Sequence, residues 1–471
     1  MSSAGGLDGN RWTLRELAVE FDMLSALNKL FVQNFERIPT KAEWTGFRKH
    51  ARRMRKLQMD VYYDPATPEN LLPLQLCTAN EPLLPRLKSF ECPYTTEDFI
   101  PFIPLFLSPQ TTEIDIEFRG STLVVASMLT MLPTLCPNLE RIVLGTMDID
   151  PILIDAVSEM LLACNRDTLR DFPVEFSITE EAREVLCRLP KLTRLSMVFN
   201  ERTPLPPLSL PSVTSIDISY EGHPDWLQGF CGAALDKLEE VTISGPEPVG
   251  DFLKAFESVA LPSSIQNSLL RFRFSAYYLI PTTLGWDLDF SPLLSFNQLK
   301  VLEIEYYCNV HCASGVKDSD ITTLVRAMPK LEVLRLGRPP CKIPSGATVR
   351  GLVALASCCL HLSELQIHFR GDTLVDGAAM DTATANLPIN KPPIPGMVCA
   401  LTHLNVGRIP IPAQSAETVA RVLLRIFPRI LEVTHTNLEW KPVARKIKRL
   451  RQSSAHVCHE GKAHQVAFND S

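Results

Sequence analysis

The chain has 471 residues, a hydrophobic share of 45% and a formal net charge of −6. That length exceeds one compact core and predicts two or three domains or one elongated array. The hydrophobic share excludes wholesale disorder, and the acidic balance leaves no nucleic-acid footprint over the chain as a whole. No run approaches about 18 apolar residues, so no membrane span is expected.

The opening MSSAGGLDGNRWTLREL has no basic stretch leading into an apolar run, so no secretory signal is expected. Thirteen cysteines stand mostly among apolar residues, as in LLACN and PTLCPNL. That fits free, buried thiols in a reducing compartment, cytoplasmic or nuclear.

In chain order, residues 1–53 are expected to form an N-terminal helical cap, because 11–56 reads as helical and a stacked array needs a capping unit. From 54 to 437 one skeleton recurs: an apolar residue, two others, an apolar residue, one other, an apolar residue. It fits Met54/Leu57/Met59, Leu87/Phe90/Cys92, Leu139/Ile142/Leu144, Leu169/Phe172/Val174 and Leu192/Leu195/Met197. It continues through Val213/Ile216/Ile218, Leu238/Val241/Ile243, Leu269/Phe272/Phe274 and Leu299/Leu302/Ile304. Leu331/Leu334/Leu336, Leu362/Leu365/Ile367 and Leu401/Leu404/Val406 follow, with a weaker copy at Thr111/Ile114/Ile116 and a fraying one at Ile430/Val433. Several copies share a lead-in, as in CPNLERI, LPKLTRL, LPSVTSI and MPKLEVL. The spacing suits a repeat unit of roughly 20 to 32 residues, the leucine-rich-repeat range, and about 13 repeats are expected.

The last two apolar positions alternate with polar ones, as a half-buried strand requires. Between strands, 153–164, 319–331, 349–359 and 416–427 carry helical spacing, several behind a capping residue such as Asp150 or Asp318-Ser319-Asp320. Strand and helix in alternation predict an α/β fold: a leucine-rich-repeat solenoid, or horseshoe, with a parallel sheet on the concave face and helices on the convex face. The Pro-, Ala- and Thr-rich 372–398 is expected to loop out on the surface, and the aromatic 275–296 to pad the core. Residues 438–471 are expected to be a basic capping helix, with Trp440, Val443, Ile447 and Leu450 turned inward, then a disordered tail.

No phosphate-cradling GxxxxGK[ST] or GxGxxG loop, GxSxG elbow or HExxH helix is present, so neither catalytic nor cofactor residues are nominated. Cys308, His311 and Cys312 lack the second pair that structural zinc needs, so no metal is expected. In KPVARKIKRLR (441–451) an import or acidic-partner patch competes with the solvated face of the capping helix, which is preferred.

The concave face is then the candidate site, because alternate strand residues point away from the core. Its charged and amide-bearing members include Glu113, Asp115, Glu117, Arg194, Asp217, Arg271, Arg273, Glu303, Glu305, Arg335, Glu364, Gln366 and His368. Arg141, Glu240, His403 and Asn405 fall on the same face. A mixed-charge surface with small residues between suits a protein partner, with no nucleic acid and no membrane involved.

The segments PTKAEWTGFRKHARRMRKLQM (39–59), LLPRLKSFECP (83–93), LCPNLERIVL (135–144), LPKLTRLSM (189–197) and LEWKPVARKI (438–447) resemble the F-box/leucine-rich-repeat-like proteins of mushroom-forming fungi. The likeness spans roughly residues 35 to 450, and Trp44, Phe47, Ala51, Arg52 and Arg53 match a Trp-x-x-Phe-x-x-x-Ala-Arg-Arg-like segment of that family. The resemblance implies a substrate-receptor-like subunit of an SCF-type ubiquitin ligase, its repeats holding the target. Residues 1–38 contain no LPxE-type start, so the F-box itself is absent or degenerate, and a Skp-type adaptor would bind only where an F-box stands. The alternatives are a solenoid regulator such as a GTPase activator, or a pure scaffold.

Overall fold

The computed structural model describes residues 11–13, 41–59, 71, 75, 81–146, 150–173, 178–199, 210–220, 224–230, 234–246, 249–257, 262–276, 289–306, 316–337, 346–376, 398–407, 409–411, 414–435 and 437–452. The chain divides into two compact units, Met1–Asn200 with Leu208–Ser219, and Glu201–Pro207 with Tyr220–Ser471.

In the first unit the strands are β1 (Arg11–Thr13), β2 (Lys56–Gln58), β3 (Ser89–Thr96), β4 (Glu113–Arg119), β5 (Arg141–Thr146), β6 (Asp171–Pro173), β7 (Arg194–Phe199) and β8 (Ser215–Tyr220), whose last residue belongs to the second unit. The helices are α1 (Lys41–Ala51), α2 (Ile103–Phe106), α3 (Thr122–Leu135), α4 (Pro151–Ala163) and α5 (Glu180–Cys187). Each strand lies beside its sequence neighbours, and β1 to β7 pair in parallel.

The second unit repeats the plan. Its strands are β9 (Glu240–Gly245), β10 (Arg271–Ala276), β11 (Val301–Tyr306), β12 (Val333–Leu336), β13 (Glu364–Ile367), β14 (His403–Gly407) and β15 (Glu432–His435), all parallel and sequential. Its helices are α6 (Val249–Glu257), α7 (Ser263–Ser268), α8 (Asp318–Ala327), α9 (Val349–Cys358), α10 (Ala416–Ile426) and α11 (440–452).

The second and third positions of successive triplets land in register. In the second unit Val241, Phe272, Leu302, Leu334, Leu365, Leu404 and Val433 pair strand to strand, and Ile243, Phe274, Ile304, Leu336 and Ile367 form the next row. Leu57, Phe90, Ile114 and Ile142 do the same in the first unit. These side chains are buried. A parallel strand needs a long crossover to reach its neighbour, and along the described strands burial alternates, so one sheet face is buried and the other carries the half-exposed polar residues. Burying one such side chain contributes about 1.5–3 kcal/mol, so the core is a stack of like layers.

The shared lead-in is a turn. Leu84, Ser108, Leu210, Met328 and Phe427, each followed by Pro, accept a hydrogen bond from the amide three residues on, at 2.9–3.3 Å. Proline suits the second turn position, where its fixed φ is already right and no amide is needed. The residue opening each turn is itself buried, a further repeat position not recognised in the skeleton. One residue past the turn, the Thr193, Thr214, Ser363 and Thr402 hydroxyls donate to the preceding repeat's carbonyl at 2.9–3.2 Å, beside two amides that share it.

The helix starts agree with their sequences. Asp150 caps α4 by accepting from the Ile152 amide at 2.8 Å, with Pro151 in the first helical position. Asp320 turns back onto the Lys317 amide at 2.8 Å, whereas Asp318 reaches forward to α9 and accepts from the Thr348 and Gly351 amides at 2.7 and 2.9 Å. In α11, Trp440, Val443 and Ile447 are buried as expected, and Trp440 Nε1 donates to the Ile409 carbonyl at 2.6 Å.

Two expectations change. The 11–56 stretch is not one helical cover: Arg11–Thr13 is a strand paired with β2 and the described helix spans Lys41–Ala51. A strand there satisfies the edge amides and carbonyls of β2, which a helix could not do. Gln366 and His368 are not exposed as expected: both are buried, although Gln366 pairs in register with Arg335 and Asn405. The alternation of β13 ends at Ile367, and the following chain is anchored by the Arg370 amide on the Ala347 carbonyl. Val174, Cys308, His311, Cys312, residues 277–288 of the aromatic insert, 377–397 of the long loop and the tail 453–471 lie outside the described residues.

Candidate functional site

The remaining predicted residues fall on the open sheet faces, divided between the units. In the first unit lie Glu113, Asp115 and Glu117 on β4, Arg194 on β7 and Asp217 on β8; in the second lie Arg271 and Arg273 on β10, Glu303 and Glu305 on β11, Arg335 on β12 and Glu364 on β13. All are half-buried or exposed.

In the second unit these side chains interlock. Arg273 contacts Glu240 through Nη1 at 2.5 Å and Glu303 through Nε at 2.8 Å. Glu303 also meets Arg335 at 3.0 Å, and Arg335 forks onto Glu364 Oε1 at 2.8 and 3.1 Å. Arg271 touches Glu240 from the exposed side at 3.5 Å. Charge thus alternates along the chain Glu240, Arg273, Glu303, Arg335, Glu364 over five strands. Strand spacing of about 4.8 Å is what one charged side chain can bridge to the next. The guanidinium planes are held rather than free to wander. Burial lowers the Arg335 pKa, but the bond to Glu364 and the nearby Glu303 and Glu305 outweigh it, and the net direction is up.

The first unit has a shorter version. Arg141 lies between Asp171, at 3.1 Å, and Asp115, at 3.9 Å, while Arg194 approaches Asp171 at 3.9 Å. The Arg141 Nε–H is poorly aligned on Asp171, so that contact is ionic rather than a formed hydrogen bond. Burial pushes the Asp115 and Asp171 carboxyls up, and the arginines only partly pull them back.

Above this cluster is a feature the sequence did not announce. Between Cys92 and Thr95 the pairing of β3 with β4 slips, so that Pro93 and Tyr94 stand opposite Glu117 alone. Tyr94 adopts a left-handed φ of 66° and its ring lies over the Arg119 guanidinium at 4.4 Å. Arg119 in turn holds Glu117 at 3.2 Å. Proline 93 is the one sequence signal, since proline is confined within sheets to edges and bulges.

Gln366 is bound into the structure instead of facing a partner. Its amide donates to the Gly337 carbonyl and accepts from Asn405 at 2.8 Å, and Gly337 has a φ of 81°. Burial lowers the His368 pKa to about 4, leaving a neutral ring in the interior.

Thr402, His403 and Glu432 line up at one rim, with Thr402 Oγ1 to His403 Nδ1 at 2.8 Å and His403 Nε2 to Glu432 at 3.5 Å. The Thr402 hydroxyl also donates to the Ser363 carbonyl, which fixes it as part of the repeat ladder. Among the described residues no group of three or more His, Cys, Asp or Glu could hold a metal ion, and no helix is long and apolar enough to cross a membrane. An apolar gap of about 20 Å³ among Phe230, Phe256, Phe272 and Phe296 has room for little more than a water and no polar group to hold one. The chemistry of both open faces is therefore that of a surface: fixed charges of alternating sign, with small and aliphatic residues between them. The sequence matches no family model and no curated protein.

Proposed function

We propose that the chain is a protein-recognition module, its repeats of the leucine-rich-repeat type, and that the open sheet faces hold a protein partner. The reading extends to a non-enzymatic, substrate-receptor-like subunit of an SCF-type ubiquitin ligase, or an F-box-less relative, acting in the cytoplasm or nucleus. The observation that carries it is the ladder across β9 to β13. Arg273 and Arg335 are each clamped by two carboxylates while remaining 40% and 32% exposed, so they meet a partner already ordered. Preorganised polar groups lose little side-chain entropy on binding, and fixed charges of both signs select orientation.

The test compares affinity purifications of the wild type and an Arg271→Glu, Arg194→Glu variant. Both arginines are more than half exposed and make only long ion pairs, at 3.5 and 3.9 Å, so folding is expected to survive. The reading expects a set of proteins that the variant loses, with the melting temperature unchanged. An identical set at identical yield contradicts open-face recognition. Recovery of a Skp-type adaptor and a cullin with the wild type supports the ligase role, and their absence removes it.

A further inference from the structure

We infer that the outer stripe of α11, in the second unit, is a second docking surface, for an acidic segment of a partner protein with an apolar side chain at one end. The helix separates its six basic residues by role. Lys446 reaches across to Glu417 on α10 at 2.8 Å, and Arg451 donates to the Ile430 carbonyl at 2.6 Å, so both hold the helix in place. Arg449 has a contact of its own. Lys441, Arg445 and Lys448 are exposed and, among the described residues, make no side-chain ion pair or hydrogen bond.

Those three follow a helical row of four and three residues, and Leu438 stands three residues before the first. The Trp440 and Lys441 amides donate to the Asn437 and Leu438 carbonyls, so the turn at Leu438 already winds as the helix does. Leu438 is 78% exposed, the highest value among the large apolar side chains described. Leu438, Lys441, Arg445 and Lys448 thus form one stripe about 15 Å long, at 1.5 Å rise per residue. The opposite face is Trp440, Val443 and Ile447, fully buried.

The partner's chemistry follows from that division. Three cations in a row without a charged partner among the described residues, on a chain of net charge −6, call for a row of carboxylates or phosphates. A bulky exposed leucine at the head of the row has nothing to match on a phosphate backbone, and the stripe has no aromatic side chain on which a base could stack. A membrane would need the helix's apolar face, and that face is committed to the core. An extended import-type reading of the same basic run would have to unwind Trp440, Val443 and Ile447 from the interior. An acidic peptide with an apolar terminus fits all four stripe residues. This surface is independent of the open sheet faces.

The experiment is fluorescence anisotropy on the full chain with a labelled Glu-rich peptide ending in Leu-Leu, competed by a leucine-free poly-Glu peptide, a DNA duplex and phosphatidylserine vesicles. The peptide is expected to bind and to weaken about tenfold as salt rises from about 50 to about 200 mM. Lys441→Glu, Arg445→Glu, Lys448→Glu together should abolish binding, and the milder Gln set should weaken it, each with an unchanged melting temperature. Leu438→Ser should weaken the Leu-Leu peptide alone, leaving poly-Glu unaffected. No binding by the wild type, binding unaffected by the Gln set, or tighter binding of duplex or vesicles than of the peptide overturns the inference.

Discussion

Gly245 lies against the ring of the fully buried Tyr220, and a Cβ built there would sit 2.0 Å from Tyr220 Cε1. Because Phe252 packs on the same ring, with centroids 6.4 Å apart, the tyrosine has nowhere to retreat. Gly245→Ala should therefore lower unfolding free energy by about 1–3 kcal/mol, the usual range for overpacking, read from a denaturant midpoint. His368 titrates near 4 when folded against an ordinary 6.5, so below pH 6.5 the unfolded state binds the extra proton. Stability should fall as pH drops from 6.5 toward 4, and His368→Leu should flatten that slope. Residue-scale alternation also marks the limit of what was legible in sequence. Period two places Arg273, Glu303 and Arg335 on one strand row, and their side chains interlock there. Gln366 keeps that register, between Arg335 and Asn405, yet is buried because its amide is bound to Gly337 and Asn405, and His368 lies past the end of β13.

At the scale of elements, one carboxylate ties two helices together. Asp318 is the first residue of α8, yet it accepts both the Thr348 and Gly351 amides at the start of α9. Asp318→Ala should cost about 2 kcal/mol, the upper end for a lost cap, whereas the adjacent exposed Ser319→Ala should change little. A urea series on both variants measures the difference. In the charge ladder, Glu303 joins Arg273 to Arg335 with a side chain only 13% exposed. Glu303→Gln should lose about 1 kcal/mol at low salt and less at high salt, since its arginine partners remain 40% and 32% exposed and are screened. The strands were readable because the one-four-six spacing reports which residues face the core. The Tyr94 bulge was not, because a one-residue slip in pairing depends on the neighbouring strand rather than on local composition. Nor was β1, a three-residue edge segment without the triplet.

At the scale of the whole molecule, each unit is a stack of like layers whose polar strand residues form the exposed sheet face. Burial of Cys136, Cys164 and Cys359 pushes their thiols up to about 12, so they should resist alkylation at neutral pH until the layers open. The parallel sheet with intervening helices could be read from the sequence because successive strands present the same apolar spacing. The partner could not, because the open face carries only the requirement to be polar and well ordered. The most direct measurement is site-specific photo-crosslinking in cells. A photoreactive residue replaces Thr242 or Ser275 on the open face, or Thr323 or Ser357 on the helices. Recognition by the open face predicts discrete crosslinked partners from Thr242 and Ser275 that the helix positions do not give. Partners captured only from the helix positions, or equally from all four, would contradict it.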